Sequence, residues 1–186
     1  MNTGESSYRR FLAGDESAFE ELIDIYHENL IFFIRRYVSD LSVAEDIAED
    51  CFVALIVYPH RYNFKVSLKT YLFTLARNKS VDYIRHNSVI DMTSLDEHAE
   101  KSAEYESFEN RVLRDERRRA VNEGLQALDE KFRTVLHLIY FEELSYEDAG
   151  RVMGKSRKQI ENLAYRARNA LRVILNEMGW GDEKQN

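Results

Sequence analysis

The sequence predicts an all-α protein of two small helical domains, on three observations. Only one Pro and seven Gly occur among 186 residues, too few turn-formers for an all-β chain. Apolar side chains recur three and four residues apart along most of the chain, and no short stretch alternates like a half-buried strand. Serines stand where helix starts belong, several with Glu or Gln three residues later.

The first such start is Ser17-x-x-Glu20, after which Phe19, Leu22, Ile23, Tyr26, Leu30, Phe33 and Ile34 keep helical spacing. The second is Ser42-x-x-Glu45, followed by the row Ile47, Cys51, Phe52 and Leu55. Ser67 is placed to cap a third helix, with Leu68, Leu72, Leu75 and Tyr83 along it. These elements make a first domain, 1–86. The stretch "NSVIDMTSLDEHAEKSAEYESF", 87–108, is acidic and poor in large apolar residues, and reads as a flexible linker. A second domain, 109–176, carries helix starts at Ser145 and Ser156-x-x-Gln159, and a tail, 177–186, follows.

Composition narrows the function. With 44% hydrophobic and 32% charged residues the chain can build cores. A single cysteine, Cys51, rules out an internal disulfide and points to a reducing compartment. The longest apolar runs, "LIFFI" and "FVALIVY", are far short of the ~20 residues a bilayer requires, so a cytoplasmic protein without membrane insertion is expected. Enzymatic readings find no support, and no cofactor or metal is expected. His27, His60, His86, His98 and His137 are scattered without ligand spacing. Cys51 sits on an apolar row, and "FLAGDE" lacks the Lys and preceding strand of a phosphate loop.

The net charge of −7 hides an uneven distribution. Residues 61–88 hold six cations and one acid, and residues 145–175 hold seven cations and three acids. An acidic stretch separates them. Two basic islands on an anionic chain can draw a polyanion to two places.

The second island reads as a helix-turn-helix. In "LSYEDAGRVMGKSRKQIENLAYRARNAL", 144–171, a short helix spans Tyr146 to Met153, Gly154 makes the turn and Ser156 caps a second helix. Gly150 is small where two elements cross. On the second helix Ile160, Ala164, Ala167 and Leu171 form a stripe expected to face the first helix. The opposite face carries Lys158, Asn162, Arg166 and Asn169, with Gln159 and Tyr165 at its edges. Near the helix start Arg157, Lys158, Gln159, Glu161 and Asn162 can reach base edges in a major groove, while Arg166 and Arg168 suit phosphates. Glu161 can accept from cytosine or pair with Arg157 or Lys158.

The first island, "RYNFKVSLKTYLFTLARNKSVDYIRHN", interleaves aromatics with cations: Tyr62, Phe64, Lys65, Lys69, Tyr71, Phe73, Arg77, Lys79 and Arg85. Tyr71, Thr74, Asn78 and Arg85 share one helical stripe. An aromatic, a hydroxyl, an amide and a cation in a row can stack on and hydrogen-bond unpaired bases.

With these motifs in order, "GDESAFEELIDIYHENLIFFIRRYV", "AEDIAEDCFVALI", "SLKTYLFTLARNKSVDYIR" and "LDEKFRTVLHLIYFEELSYEDAGRVMGKS", the chain resembles the extracytoplasmic-function sigma factors of bacterial RNA polymerase. The resemblance covers nearly everything but the linker and tail. It implies binding to core RNA polymerase and direction of the enzyme to promoter DNA. Asp46, Glu49, Asp50 and Phe52 would lie near the beta-prime clamp. Residues 61–80 would read and melt the minus-ten element, with Tyr71 where the family usually has Trp, and Tyr62 and Asn78 around the pocket for a flipped base. The second domain would read the minus-thirty-five element and touch the beta flap. The acidic linker would thread the polymerase; by its charge alone it is also expected to mimic nucleic acid and deter binding to free DNA. A partner anti-sigma factor is implied by the same resemblance. The recognition helix departs from the family pattern: Lys158 replaces the usual Gly, and Glu161 and Leu163 stand where cations are common. The rival readings are a stand-alone helix-turn-helix regulator and a protein that only sequesters polymerase.

Overall fold

The computed structural model describes residues 4–91 and 116–180. The chain divides into two compact units, and no strand occurs among the described residues. No helix in them is long and apolar enough to cross a membrane.

Four helices build the N-terminal unit: α1 (Gly4–Leu12), α2 (Ser17–Ile34), α3 (Leu41–Val57) and α4 (Leu68–Asp91), with a 3-10 turn at Pro59–Arg61. α2 is central and packs on the other three. Leu22, Leu30, Phe33 and Ile34 of α2, Leu55 of α3, and Leu68, Leu72 and Phe73 of α4 are fully buried. Phe33 and Phe73 meet with ring centroids 5.0 Å apart. Burying eight such side chains supplies the dominant favourable term for this unit. Ile23, predicted on the α2 apolar row, stands 37% exposed at the row's edge.

The periodicity predicts no helix before Ser17, because "GESSYRRFL" offers one large buried anchor, Tyr8. That anchor suffices: its hydroxyl donates to the Leu55 carbonyl at 2.9 Å. Arg10 adds ion pairs to Asp15 and Glu21 at 2.8 and 3.0 Å, and Tyr26 fills the space a Cβ on Gly4 would need.

Two of the expected caps are different residues. Ser17 donates to Asp15 at 2.6 Å and makes no capping box, and α2 has no side-chain cap at all. α3 begins two residues earlier than Ser42 as its cap predicts. Asp40 is its cap and accepts from the Ser42 and Val43 amides; a carboxylate is the better partner for a helix N-terminus. Ser67 caps as expected, accepting from the Thr70 amide at 3.0 Å. α4 continues to Asp91, into the stretch expected to be linker from 87. The rest of that acidic segment, from 92, and the tail from 181 lie outside the described residues.

The C-terminal unit contains α5 (Glu116–Gln126), α6 (Glu130–Leu136), a π turn at His137–Phe141, α7 (Tyr146–Met153) and α8 (Arg157–Glu177). Asp129 caps α6 and Ser145 caps α7. The π turn closes with a bond from the Glu142 amide to the His137 carbonyl and a buried His137–Glu142 side-chain contact of 3.3 Å.

The helix-turn-helix forms as its residues predict. Gly154 has φ +65°, and the Lys155 amide donates to the Gly150 carbonyl at 2.9 Å, the six-residue closure of a Schellman motif. Ser156 and Gln159 make a complete capping box. The reason for Gly150 is the turn itself: a Cβ there would stand 2.6 Å from the Lys155 carbonyl oxygen. Ile160, Ala164 and Ala167 are fully buried. Their stripe, expected to face α7, is shared: Ile160 lies beside Gly150, but α8 packs chiefly on α6 and then α5.

Two outcomes follow. Gly150→Ala should destabilise the C-terminal unit by about 1–3 kcal/mol through overpacking, read as an earlier urea midpoint in the fluorescence of Trp180, the single tryptophan. In the N-terminal unit, burial pushes the Cys51 thiol from 9.0 up to about 12, with Lys79 opposing and Asp50 adding to the shift. Burial pushes the Tyr8 phenol from 10.0 up to about 12 as well. The unfolded chain therefore releases these protons first as pH rises. The stability they contribute is complete below pH 9 and declines up to about pH 12. Circular dichroism melts at about pH 8 and about pH 11 should show that decline, and an unchanged midpoint would contradict it.

Candidate nucleic-acid interface

On α4 one face is core and the other faces out. Tyr71, Thr74 and Lys69 are half-buried, Asn78 and Arg85 are exposed, and Arg77 and Lys79 lie at the margin. Helical geometry thus brings the predicted stripe to one surface. Its polar atoms are partly engaged within the unit. The Thr74 hydroxyl donates back to the Thr70 carbonyl at 2.7 Å, and Arg77 reaches the Asn78 side-chain oxygen at 3.4 Å. Arg85 approaches Asp82 at 3.8 Å. Lys65, in the turn before the helix, is exposed.

Tyr62 departs from expectation. It is 4% exposed, with its hydroxyl donating to the Val66 carbonyl at 2.9 Å. Its ring lies among Tyr8, Phe64 and Tyr71, at centroid distances of 5.7, 4.6 and 5.1 Å. Burial raises its pKa above that of an ordinary phenol. Tyr62 therefore lies beneath Tyr71 as its support, because an aromatic at helical or turn spacing gains more from packing than from exposure.

The α3 residues divide in the same way. Asp46, Glu49 and Asp50 are exposed along one face. Phe52, expected beside them as a partner contact, points inward at 5% exposure, against Phe19 and His27. The 100° step per residue sets it nearly opposite Asp50, with Glu49, three residues back, at the edge between the exposed face and the core. The outward face continues instead through Val53, Ile56 and Val57, each about half exposed. The exposed face of α3 thus has an acidic half followed by an apolar half. Asp50 also holds Lys79 at 2.7 Å, so one ion pair joins the two faces.

On α8 Arg157, Lys158, Gln159, Asn162, Arg166 and Arg168 are all exposed. Glu161 pairs with Arg157 at 3.0 Å, the ion pair that its i,i+4 spacing allows. The Gln159 side-chain oxygen accepts from the Ser156 amide at 2.8 Å. While that box is closed Gln159 cannot offer both amide atoms to an adenine. Leu163 is buried and extends the apolar stripe. Arg166 lies 5.6 Å from the Phe132 ring centroid. Arg168 donates to the Tyr140 hydroxyl at 2.9 Å, and that bond, with a second to Tyr146, raises its pKa further. Tyrosine oxygens leave the cation's charge uncompensated, so Arg168 is positioned without being neutralised.

Two residues that reach the α4 surface carry no signal in the sequence: Glu5 accepts from the Leu68 amide at 2.7 Å, and Arg9 stacks 4.0 Å over the ring of Phe64, an aromatic of the first basic island that has φ +60°. Contacts between residues about sixty positions apart leave no local pattern.

The burial of Tyr62 predicts that Tyr62→Ala costs about 3–5 kcal/mol, as for other large buried aromatics, in urea unfolding followed by Cys51 labelling. A surface contact would cost within about 0.5 kcal/mol.

Residues 22–89 match the family Sigma-70 region 2, and residues 124–173 match Sigma-70, region 4. The chain is 31% identical over 172 residues to the RNA polymerase sigma-H factor of Pseudomonas aeruginosa, covering 87% of this chain and 88% of that protein. It is 26% identical over 173 residues to the ECF RNA polymerase sigma factor SigW of Bacillus subtilis, covering 89% and 92%. Among solved structures it resembles the sigma factor RpoE in its co-crystal with the anti-sigma factor NepR from Bartonella quintana, with a TM-score of 0.62 and 25% identity over 85% of this chain and 96% of that one. CnrH, in complex with the cytosolic domain of CnrY, has the same fold with a TM-score of 0.61, at 21% identity over 92% and 96%.

Proposed function

Because the chain belongs to the sigma factors of bacterial RNA polymerase, in the extracytoplasmic-function group, it binds core RNA polymerase and directs promoter-specific transcription initiation, and we propose a division of that work among its surfaces. Residues 1–86 dock on core enzyme and open the minus-ten element. Residues 109–176 hold the minus-thirty-five element in an intact groove and meet the beta flap. Residues 87–108 connect them, and 177–186 form a tail. The chain works in the cytoplasm and catalyses nothing itself; the polymerase supplies the chemistry.

The observation that carries this division is the pair of outward cationic rows on an anionic chain, one on α4 beside an aromatic cluster and one on α8 behind a capped turn. Opening DNA loses stacking of about 1.4 kcal/mol per step. Tyr71, Thr74 and Asn78 can recover part of that from unpaired bases, while Lys65, Lys69, Arg77, Lys79 and Arg85 hold the backbone. On α8 Lys158 and Asn162 face base edges, and Arg157, Arg166 and Arg168 face phosphates. Asp46, Glu49 and Asp50 meet the beta-prime clamp, with the exposed Val53, Ile56 and Val57 adding apolar area. An anti-sigma factor is proposed as a further partner, on the likeness to RpoE, whose structure contains one.

Run-off transcription with core polymerase on a promoter library tests the reading. Wild-type protein should select start sites, and Lys69→Glu and Arg166→Glu should each lower transcript by about tenfold or more at physiological salt. Undiminished initiation by both variants would refute the division, and protection of duplex DNA without polymerase would favour the stand-alone regulator.

A further inference from the structure

α1 lies outside the segment matched to Sigma-70 region 2, which begins at residue 22. Its contacts nevertheless converge on the surface through which α4 would meet unpaired bases. Ser67 satisfies the Thr70 amide. The Leu68 amide, at the very start of α4, is satisfied by Glu5 from 63 residues away. A carboxylate there both accepts the bond and complements the helix dipole, so α1 sets where α4 begins.

The turn leading into α4 needs the same support. Phe64 sits at φ +60°, a conformation that a side chain with a Cβ keeps only where its surroundings over-determine it. The surroundings come largely from α1. The Arg9 guanidinium covers one face of the ring at 4.0 Å, and Tyr8 abuts it at a centroid distance of 6.1 Å. Asn63 accepts from the Lys65 amide inside the turn. Phe64 in turn packs on Tyr62, and Tyr62 on Tyr71, the aromatic of the exposed stripe. An unbroken line of contacts therefore runs from Arg9 to Tyr71.

We infer that α1 is a positioning element for strand opening: Glu5 fixes the first turn of α4 and Arg9 fixes Phe64, so that Tyr71 and its neighbouring cations are held ready for an extruded base. The inference rests on the opening role assigned to α4. Neither residue touches DNA. Both act by pre-organisation, which lowers the cost of capturing a base without adding a contact. Arg10, tied to Asp15 and Glu21, has the purely structural role in the same helix.

The test uses holoenzyme assembled from core polymerase and the full chain, with Arg9→Ala, Glu5→Ala and Glu5→Gln. Opening is read by permanganate reactivity of promoter thymines, and transcription by single-round run-off on duplex and on premelted templates. Arg9 is exposed, so Arg9→Ala leaves the core intact. On duplex DNA Arg9→Ala and Glu5→Ala should each lower opening about fivefold, in line with the loss of a cap or a cation–ring contact. On the premelted template transcription should return to within about twofold of wild type, since opening is bypassed. Glu5→Gln should keep most of the opening, because its amide oxygen still accepts from Leu68. Wild-type opening by both alanine variants would overturn the inference, as would equal losses on the two templates, which would mark a role in folding or polymerase binding. Failure of the wild-type protein itself to open any promoter would be a separate result that removes the role of α4 and the inference with it.

Discussion

One face of α4 must be buried for the other to work. Leu68, Leu72, Phe73 and Ala76 are completely removed from solvent against α2 and its neighbours. Because successive side chains step 100° around the axis, that burial leaves Tyr71, Asn78 and Arg85 on the outside. The cost of the arrangement is a cationic, aromatic surface on an otherwise anionic unit. The aromatic part is supported from beneath, by Tyr62, Phe64 and Tyr8, so that the half-buried Tyr71 ring sits on a packed base and not on a loose loop.

The cations are held in the free protein by weak partners. Lys79 pairs with Asp50, Arg157 with Glu161 and Arg85 with Asp82, all substantially exposed to solvent. Such pairs contribute at most about 1 kcal/mol each and yield to phosphate, which releases counterions as well. The pair between Lys79 and Asp50 spans the two faces assigned to different partners.

α8 solves a related problem with less core. Its stripe of Ile160, Leu163, Ala164 and Ala167 uses small residues to let α6 and α5 approach closely, with Gly124 facing Leu171 and Leu175. Every cation then projects outward from a helix whose start is locked by the Ser156–Gln159 box. That lock occupies an atom of Gln159, so stability at the helix start and base reading compete for one side chain.

The sequence by itself determined α2, α3, α4 and the helix-turn-helix, because these rest on local period, caps and glycines: Gly154, Ser145, Ser156 and the rows on α2, α3 and α4 are all readable from neighbours a few residues away, and the order of those motifs carries the resemblance to the family. It also determined which faces are cationic. Only the tertiary structure decided that Phe52 and Tyr62 turn inward, that Asp40 and not Ser42 caps α3, and that α1 braces α4 through Glu5 and Arg9. The reason is physical. Glu5 and Leu68, or Arg9 and Phe64, meet only in space, and with partners fifty or sixty residues apart no periodicity records them; at α3 two neighbouring residues could each cap the helix, and the packed start of the helix selected Asp40.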